Sequence, residues 1–182
     1  VVDYNICVLR SSDRQFGYRK RIHVWLAPED YRNANLKIML AYILMGHPEW
    51  KGSEITLFVA VSRDRLAAEV ERLNSMIALG RLPISRNNIV PVPTSGEEPF
   101  DVIVSGRSGD ADLVITGFYL SRVIEEEGAF FKGFEGISDI LFVRAGQDIL
   151  ITENLTDEVV KTSLSAGLPH QMPVLPSTRG KE

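Results

Sequence analysis

The sequence predicts an α/β fold: a mostly parallel, doubly wound sheet with helices on both faces and an antiparallel edge hairpin near the C-terminus. Short, nearly continuous apolar runs, of which 54–61 is the clearest, alternate with helical segments, as in parallel sheets that are buried on both faces. The length of 182 residues, with 45% hydrophobic and 24% charged side chains, suits one globular domain with a tail.

The first two strands are expected at 4–9 and 22–26. Cys7 lies between Ile6 and Val8, which predicts a small buried residue in a central strand. The connection at 11–20 is polar and short for a parallel crossover, so the arrangement of these two strands stays open.

The segment 35–45 is apolar on nearly every face and is followed by Gly46 and Pro48, which predicts a buried helix with a defined end. A strand follows at 54–61, and Ser62 stands where a side-chain oxygen can cap the next helix. Apolar residues at steps of three and four extend that helix to about Leu79.

The second half of the chain continues the alternation. A strand at 88–92 contains Pro91, which favours an edge position. The further elements are expected as a short helix at 99–105, a strand at 111–117, a helix at 121–131, a strand at 138–144 and a second hairpin strand at 148–152. We therefore expect one α/β domain over 1–152 and a C-terminal extension over 153–182, with a short helix and then a tail that contains Pro and Gly.

Composition excludes several classes of protein. The net charge of −4 does not provide the basic surface with which nucleic-acid binders meet phosphates, so no nucleic acid is expected as a partner. No apolar run approaches the roughly 20 residues of a membrane-spanning helix. Cys7 is the single cysteine and cannot form an internal disulfide.

Residue types that often carry catalysis are scattered. His23, His47 and His170 are far apart and have no metal-ligand spacing with Cys, Asp or Glu. Gly-x-Ser-x-Gly and Walker motifs are absent, and the consecutive acids at 125–127 point around a helix. We expect no enzyme activity, no metal and no cofactor.

One glycine-containing segment is a candidate nucleotide loop. Gly106, Arg107 and Gly109 precede the strand that ends at Gly117, and Gly-x-x-Gly loops can present backbone N–H groups to phosphate. The strand resembles that of universal stress proteins, in which Ala-Asp-Leu-Ile-Val-x-Gly precedes nucleotide-binding glycines. Here the chain continues Phe-Tyr-Leu-Ser-Arg and lacks the later glycines, so a nucleotide loop and a plain turn both stay open.

An aromatic run is a candidate interface. Phe130, Phe131 and Phe134 lie beside glycines, and Gln147 lies in the turn of the hairpin expected at a sheet edge. Either part of this apolar area is exposed and contacts a second copy or another domain, or the segment folds over the core.

A longer resemblance rests on the order of five segments: a strand Arg-Ile-His-Val-Trp at 21–25, the apolar helix 36–44 with Trp50 after it, and strands at 55–58, 111–115 and 140–146. In this order and spacing, residues 4–152 resemble the cytosolic C-terminal domain of the cation-chloride cotransporters. Leu26 and His23 stand where animal members often have Trp and Asp, and the long hydrophilic insertion of those members is reduced to a loop around 93–99. The compact form is therefore most similar to an archaeal or bacterial member.

This resemblance implies a universal-stress-protein-like fold and a non-catalytic regulatory and assembly domain of a membrane transporter that moves Cl⁻ with Na⁺ and/or K⁺. It implies two partners, the membrane domain of its own transporter and a second copy in a homodimer, and a place at the cytoplasmic face of the cell membrane. The transport path would lie upstream of Val1. The alternative is a nucleotide-binding sensor domain of the universal stress type.

Overall fold

Strands and helices alternate in the part of the chain that the structure, a computed structural model, describes: residues 4–27, 30–78 and 84–146. The strands are β1 (Ile6–Arg10), β2 (Arg21–Leu26), β3 (Glu54–Ser62), β4 (Ile89–Thr94), β5 (Leu113–Gly117) and β6 (Ile140–Arg144). The helices are α1 (Tyr31–Met45), α2 (Leu66–Ala78), α3 (Phe100–Ser108) and α4 (Leu120–Glu125), with 3₁₀ turns at Pro48–Trp50, Arg86–Asn88 and Ala129–Lys132. None of the helices in these ranges is long and apolar enough to cross a membrane.

The six strands form one sheet in the order β1-β6-β5-β2-β3-β4. β2 to β6 are parallel, and β1 alone runs antiparallel, beside β6. From β2 the chain moves outward through β3 to β4, then returns to β5 on the other side of β2. The predicted fold class is confirmed, and the order of strands reverses between β2 and β5.

Helices cover both faces of the sheet because alternate residues of the central strands point to opposite sides. On one face, Val24 and Leu57 pack with residues of α1 and with Leu73 of α2. On the other face, Trp25 stacks on Phe58 with ring centroids 4.7 Å apart and packs with residues of α3. The continuous apolar runs of β2 and β3 follow from this double burial.

The prediction that Cys7 lies buried in a central strand is wrong. β1 is the edge strand of the described sheet, and the Cys7 side chain is exposed. Ile6 and Val8 point to the opposite face, where they pack against the core below α3 and α4. A five-residue apolar run does not distinguish an edge strand with one covered face from a strand covered on both.

The antiparallel pair at this side of the sheet consists of β6 and β1, with Val8 opposite Phe142. β6 therefore has β5 on one side and β1 on the other. The expected second hairpin strand at 148–152 and the extension at 153–182 lie outside the described residues.

Two buried carboxylates hold the loop between β1 and β2. Asp112 accepts hydrogen bonds from the backbone N–H groups of Tyr18 at 3.0 Å, Lys20 at 2.7 Å and Arg21 at 3.1 Å. Asp139 accepts from the backbone N–H groups of Ser12 at 2.8 Å and Phe16 at 3.1 Å. Because β1 and β2 are not neighbours, the short polar segment that separates them is not a parallel crossover.

α1 is longer than predicted and less completely buried. It begins at Tyr31, and Leu36, Ile38 and Ala41 are buried as expected. Met39 and Ile43, one turn apart on the outward side, are 48% and 61% exposed. The expectation of burial around most of the helix is therefore wrong for this outward stripe.

The other elements differ from the prediction mainly at their ends. β4 lies at the second edge of the sheet that the described residues form, as Pro91 predicted. α3 extends to Ser108, and α4 ends at Glu125 rather than near Phe131. Gly128, with φ +79°, takes the left-handed conformation between α4 and the following 3₁₀ turn, a conformation that favours glycine.

Candidate functional site

A crevice lies at the carboxyl ends of β2 and β5, where the order of strands reverses. In open α/β sheets this is the general position of ligand sites, because the loops that follow the two strands diverge there. The cavity has a volume of about 350 Å³. The residues that line it come from the ends of both strands, α3, α4 and the 3₁₀ turn after it: Ala27, Asp30, Phe100, Gly117, Phe118, Tyr119, Arg122 and Phe130.

A buried ion pair forms one side of the crevice. The Lys37 ammonium is fully buried and donates to the carboxylate of Asp30, which is 5% exposed, and to the Trp25 carbonyl. Burial lowers the pKa of Lys37, and the neighbouring Asp30 carboxylate opposes that shift. The pair attaches α1 to the carboxyl end of β2.

The Asp30 carboxylate also explains why residue 117 is a glycine. A Cβ atom at position 117 would collide with the oxygens of Asp30, so only glycine fits at the end of β5. Asn33 donates to Asp30 from its amide nitrogen, and its amide oxygen accepts from the Ala145 backbone N–H at 2.6 Å. This network connects the ends of β2, β5 and β6 through the first turns of α1.

The outer wall of the crevice consists of aromatic side chains and of Arg122, whose charge is paired with Glu126. Arg122 forms an ion pair with Glu126 at 2.7 Å, and its guanidinium lies 5.2 Å from the centre of the Phe130 ring. Phe100 contacts Trp25 edge-on, with centroids 5.9 Å apart. These walls suit a small ligand with an apolar body, and the Asp30 carboxylate fills the space beside Gly117.

The structure does not assemble the candidate nucleotide loop. Gly106 and Arg107 lie inside α3, and Gly109 caps that helix with an ordinary φ of −62°. They precede β5 and lie at its amino end, whereas Gly117 lies at its carboxyl end, about 13 Å along the strand at roughly 3.3 Å per residue. Of the two alternatives, a nucleotide loop and a plain turn, the structure shows neither: the segment is the C-terminal end of α3.

The aromatic run folds over the core. Phe134 is 2% exposed, and Phe130 and Phe131 are half-buried. Each of the three rings contacts Phe142 of β6, with centroids 5.0 to 5.7 Å apart. Phe134 thus belongs to the core rather than to an exposed interface, and Gln147 lies outside the described residues.

A buried polar cluster around His23 was not expected. The Ser108 hydroxyl lies 3.0 Å from Nδ1 of His23 and accepts a hydrogen bond from Trp25 Nε1 at 2.9 Å. His23 is 7% and Ser108 1% exposed, and burial lowers the pKa of His23. The cluster joins the end of α3 to β2. Because the Ser108 hydroxyl already has two hydrogen-bond partners, we interpret its role as structural.

Within the described ranges, no group of three or more His, Cys, Asp or Glu side chains could hold a metal ion. No family model matches the chain, and no curated protein matches its sequence.

Proposed function

We propose that this chain is a non-catalytic, cytosolic regulatory and assembly domain of a membrane cotransporter that moves Cl⁻ with Na⁺ and/or K⁺. The observation that carries the proposal is spatial: the segments whose order resembles the cotransporter domain are neighbours in the fold. β2 lies between β3 and β5, β6 lies beside β5, and α1 packs on β2, β5 and β6.

These segments also share specific contacts. Trp25, the last residue of the Arg-Ile-His-Val-Trp segment, stacks on Phe58 of β3, and its carbonyl oxygen accepts a hydrogen bond from Lys37 of α1. Trp50, which follows α1, is buried in the same core as α1. The segments that carry the resemblance therefore pack together as one unit.

The parent reading frame tests the proposal directly. We expect about a dozen hydrophobic segments upstream of Val1, each near the roughly 20 residues that a spanning helix needs. We also expect this chain, added separately, to co-purify with a parent protein from which it has been deleted. A parent without spanning segments would contradict the proposal.

A nucleotide-binding sensor of the universal stress type is a second candidate, and the place of the crevice between β2 and β5 favours it. Titration of the chain with ATP in a calorimeter tests it. Binding in the micromolar range that Arg122→Ala abolishes would support the sensor. We expect no such binding, because the chain lacks the glycines that follow this strand in universal stress proteins and Asp30 fills the space beside Gly117.

A further inference from the structure

The crevice at the carboxyl ends of β2 and β5 has the size and the walls of a small-molecule site. Its volume of about 350 Å³ lies near the lower end of the range of roughly 300–1,000 Å³ that is typical of ligand pockets. Every side chain that lines it belongs to the described residues, and Phe100, Phe118 and Phe130 supply much of the apolar wall. A ligand with an apolar or aromatic body can pack against these rings.

Two side chains of opposite charge, Asp30 and Arg122, line the same crevice. Each is already paired within the protein, Asp30 with Lys37 and Arg122 with Glu126. Because the charges of each pair sum to zero, the crevice offers no net charge that would favour a ligand with a net positive or net negative charge. A ligand with one charge of each sign, and none overall, is the complement of these walls.

Both charged groups have capacity for a further hydrogen bond. The two oxygens of Asp30 accept from Asn33 and from Lys37, and an ionised carboxylate has about four acceptor sites. Arg122 donates to Glu126 through Nε and Nη2, and its Nη1 has no hydrogen-bond partner among the described residues. A ligand ammonium can therefore donate to Asp30, and a ligand carboxylate can accept from Arg122.

We propose that the crevice binds a free α-amino acid with a large apolar side chain, such as phenylalanine. Its ammonium donates to Asp30, its carboxylate accepts from Nη1 of Arg122, and its side chain packs on the aromatic wall that includes Phe100. This ligand has no phosphate and no net charge, which separates it from the nucleotide of the second candidate function. The proposal goes beyond the transporter assignment and does not depend on it.

A series of ligands tests each contact without changing the protein, which matters for Asp30 because that residue also attaches α1. Calorimetric titration of the 182-residue chain with L-phenylalanine should show binding at one site. Hydrocinnamate lacks the ammonium, phenethylamine lacks the carboxylate, and free glycine lacks the side chain. Each should bind at least about tenfold more weakly than L-phenylalanine, since each loses one of the three contacts.

A variant of Arg122 tests the carboxylate contact from the side of the protein. Arg122→Gln should weaken binding of L-phenylalanine about tenfold and change binding of phenethylamine, which has no carboxylate, less than about twofold. The matched control is Arg72→Gln on α2. Arg72 is 47% exposed against 53% for Arg122, it also pairs with a glutamate, and it does not line the crevice, so its loss should leave both affinities unchanged.

Amide NMR spectra locate the bound amino acid. L-phenylalanine should shift the amide signals of Gly117 and Phe118, which line the crevice, and leave that of Gly106 in α3 unchanged. Gly106 is a suitable reference because it lies near the amino end of β5, away from the crevice.

Four outcomes overturn the proposal: no binding of L-phenylalanine at millimolar concentrations, an analogue or ATP that binds as tightly, an affinity that a folded Arg122→Gln variant leaves unchanged, or shifts at Gly106 rather than at Gly117. Thermal unfolding shows whether Arg122→Gln is folded, and the ligand series decides the matter on the wild-type chain in either case. None of these outcomes depends on the parent reading frame, so failure of the amino-acid site and failure of the transporter assignment are distinguishable.

Discussion

A buried carboxylate lies at each end of the parallel strands, and different groups stabilise the charge at the two ends. At the amino end, Asp112 accepts three hydrogen bonds from backbone N–H groups. At the carboxyl end, Asp30 faces the fully buried ammonium of Lys37. The amino end is thus closed mainly by backbone dipoles, with the half-exposed Arg14 guanidinium 4.0 Å from Asp112. The carboxyl end depends on a charge pair that leaves a buried ion if either partner is lost.

Breaking the charge pair should have the largest effect on stability. Asp30→Ala leaves the Lys37 ammonium buried without its counter-ion, which should cost roughly 3–5 kcal/mol of unfolding free energy, measured by chemical denaturation. The double variant Asp30→Ala with Lys37→Met removes both charges and should recover a large part of the loss. A double variant less stable than Asp30→Ala alone would contradict the charge-pair account.

Removing Asp112, the carboxylate at the amino end, should lower the free energy of unfolding by less than removing Asp30 does. Asp112→Ala leaves three partly buried backbone N–H groups without their acceptor, which should cost roughly 1 kcal/mol and speed hydrogen exchange at Tyr18, Lys20 and Arg21. Asp110→Ala is the control, because Asp110 is exposed and its ion pair with Arg21 lies at the surface. Its loss should stay below about 0.5 kcal/mol, so equal losses in the two variants would be evidence against a special role for Asp112.

The two ends should also differ in their response to acid. Burial alone would raise the pKa of Asp112, but the backbone hydrogen bonds and the nearby Arg14 outweigh it and hold that pKa below 3.8. The stabilisation from Asp112 is therefore present above the unfolded pKa and is lost as pH falls through the folded value. Between about pH 5 and 2, wild-type stability should fall more steeply than that of Asp112→Ala. Parallel curves would contradict this linkage.

The smallest effect is expected from His23, in mid-strand between the two ends. Burial lowers its pKa below 6.5, Asp110 and Asp112 oppose that shift, and Arg21 adds to it. The folded chain therefore binds this proton more weakly, and stability should decrease as pH falls below about 6.5, by at most about 1.4 kcal/mol per pH unit. His23→Phe should flatten this part of the curve. A wild-type chain that gains stability at pH 5.5 relative to the variant would contradict it.

The central strands could be predicted from sequence because burial on both faces leaves a local signal. The observed bounds of β2, β3, β5 and β6 lie within two residues of the predicted ones, and Pro91 correctly indicated an edge of the described sheet. The position of β1 could not be predicted. Its partner β6 lies more than a hundred residues away in sequence. The residues of β1 and those next to it do not indicate which strand β1 pairs with.

Most of the candidate site could not be predicted either, because its contacts also join residues that are far apart in sequence. Asp112 and Lys20 are 92 positions apart in sequence. The glycine at 117 is required by the carboxylate of Asp30, the residue before α1, rather than by a phosphate. One local signal was available: Lys37 is the single charge in the apolar run 34–46, and a buried lysine needs an anion. Asp30, two turns before it, is the acid that the structure supplies.

Chloride uptake by the parent protein in proteoliposomes tests the proposed role in cation-chloride cotransport. We expect uptake of Cl⁻ that requires external Na⁺ or K⁺, and a changed rate, at equal protein, when residues 1–182 are deleted or carry Asp30→Ala. Adding the wild-type chain back to the deleted parent should restore the original rate. Cation-independent uptake, or a rate that neither the deletion nor the added chain alters, would contradict it.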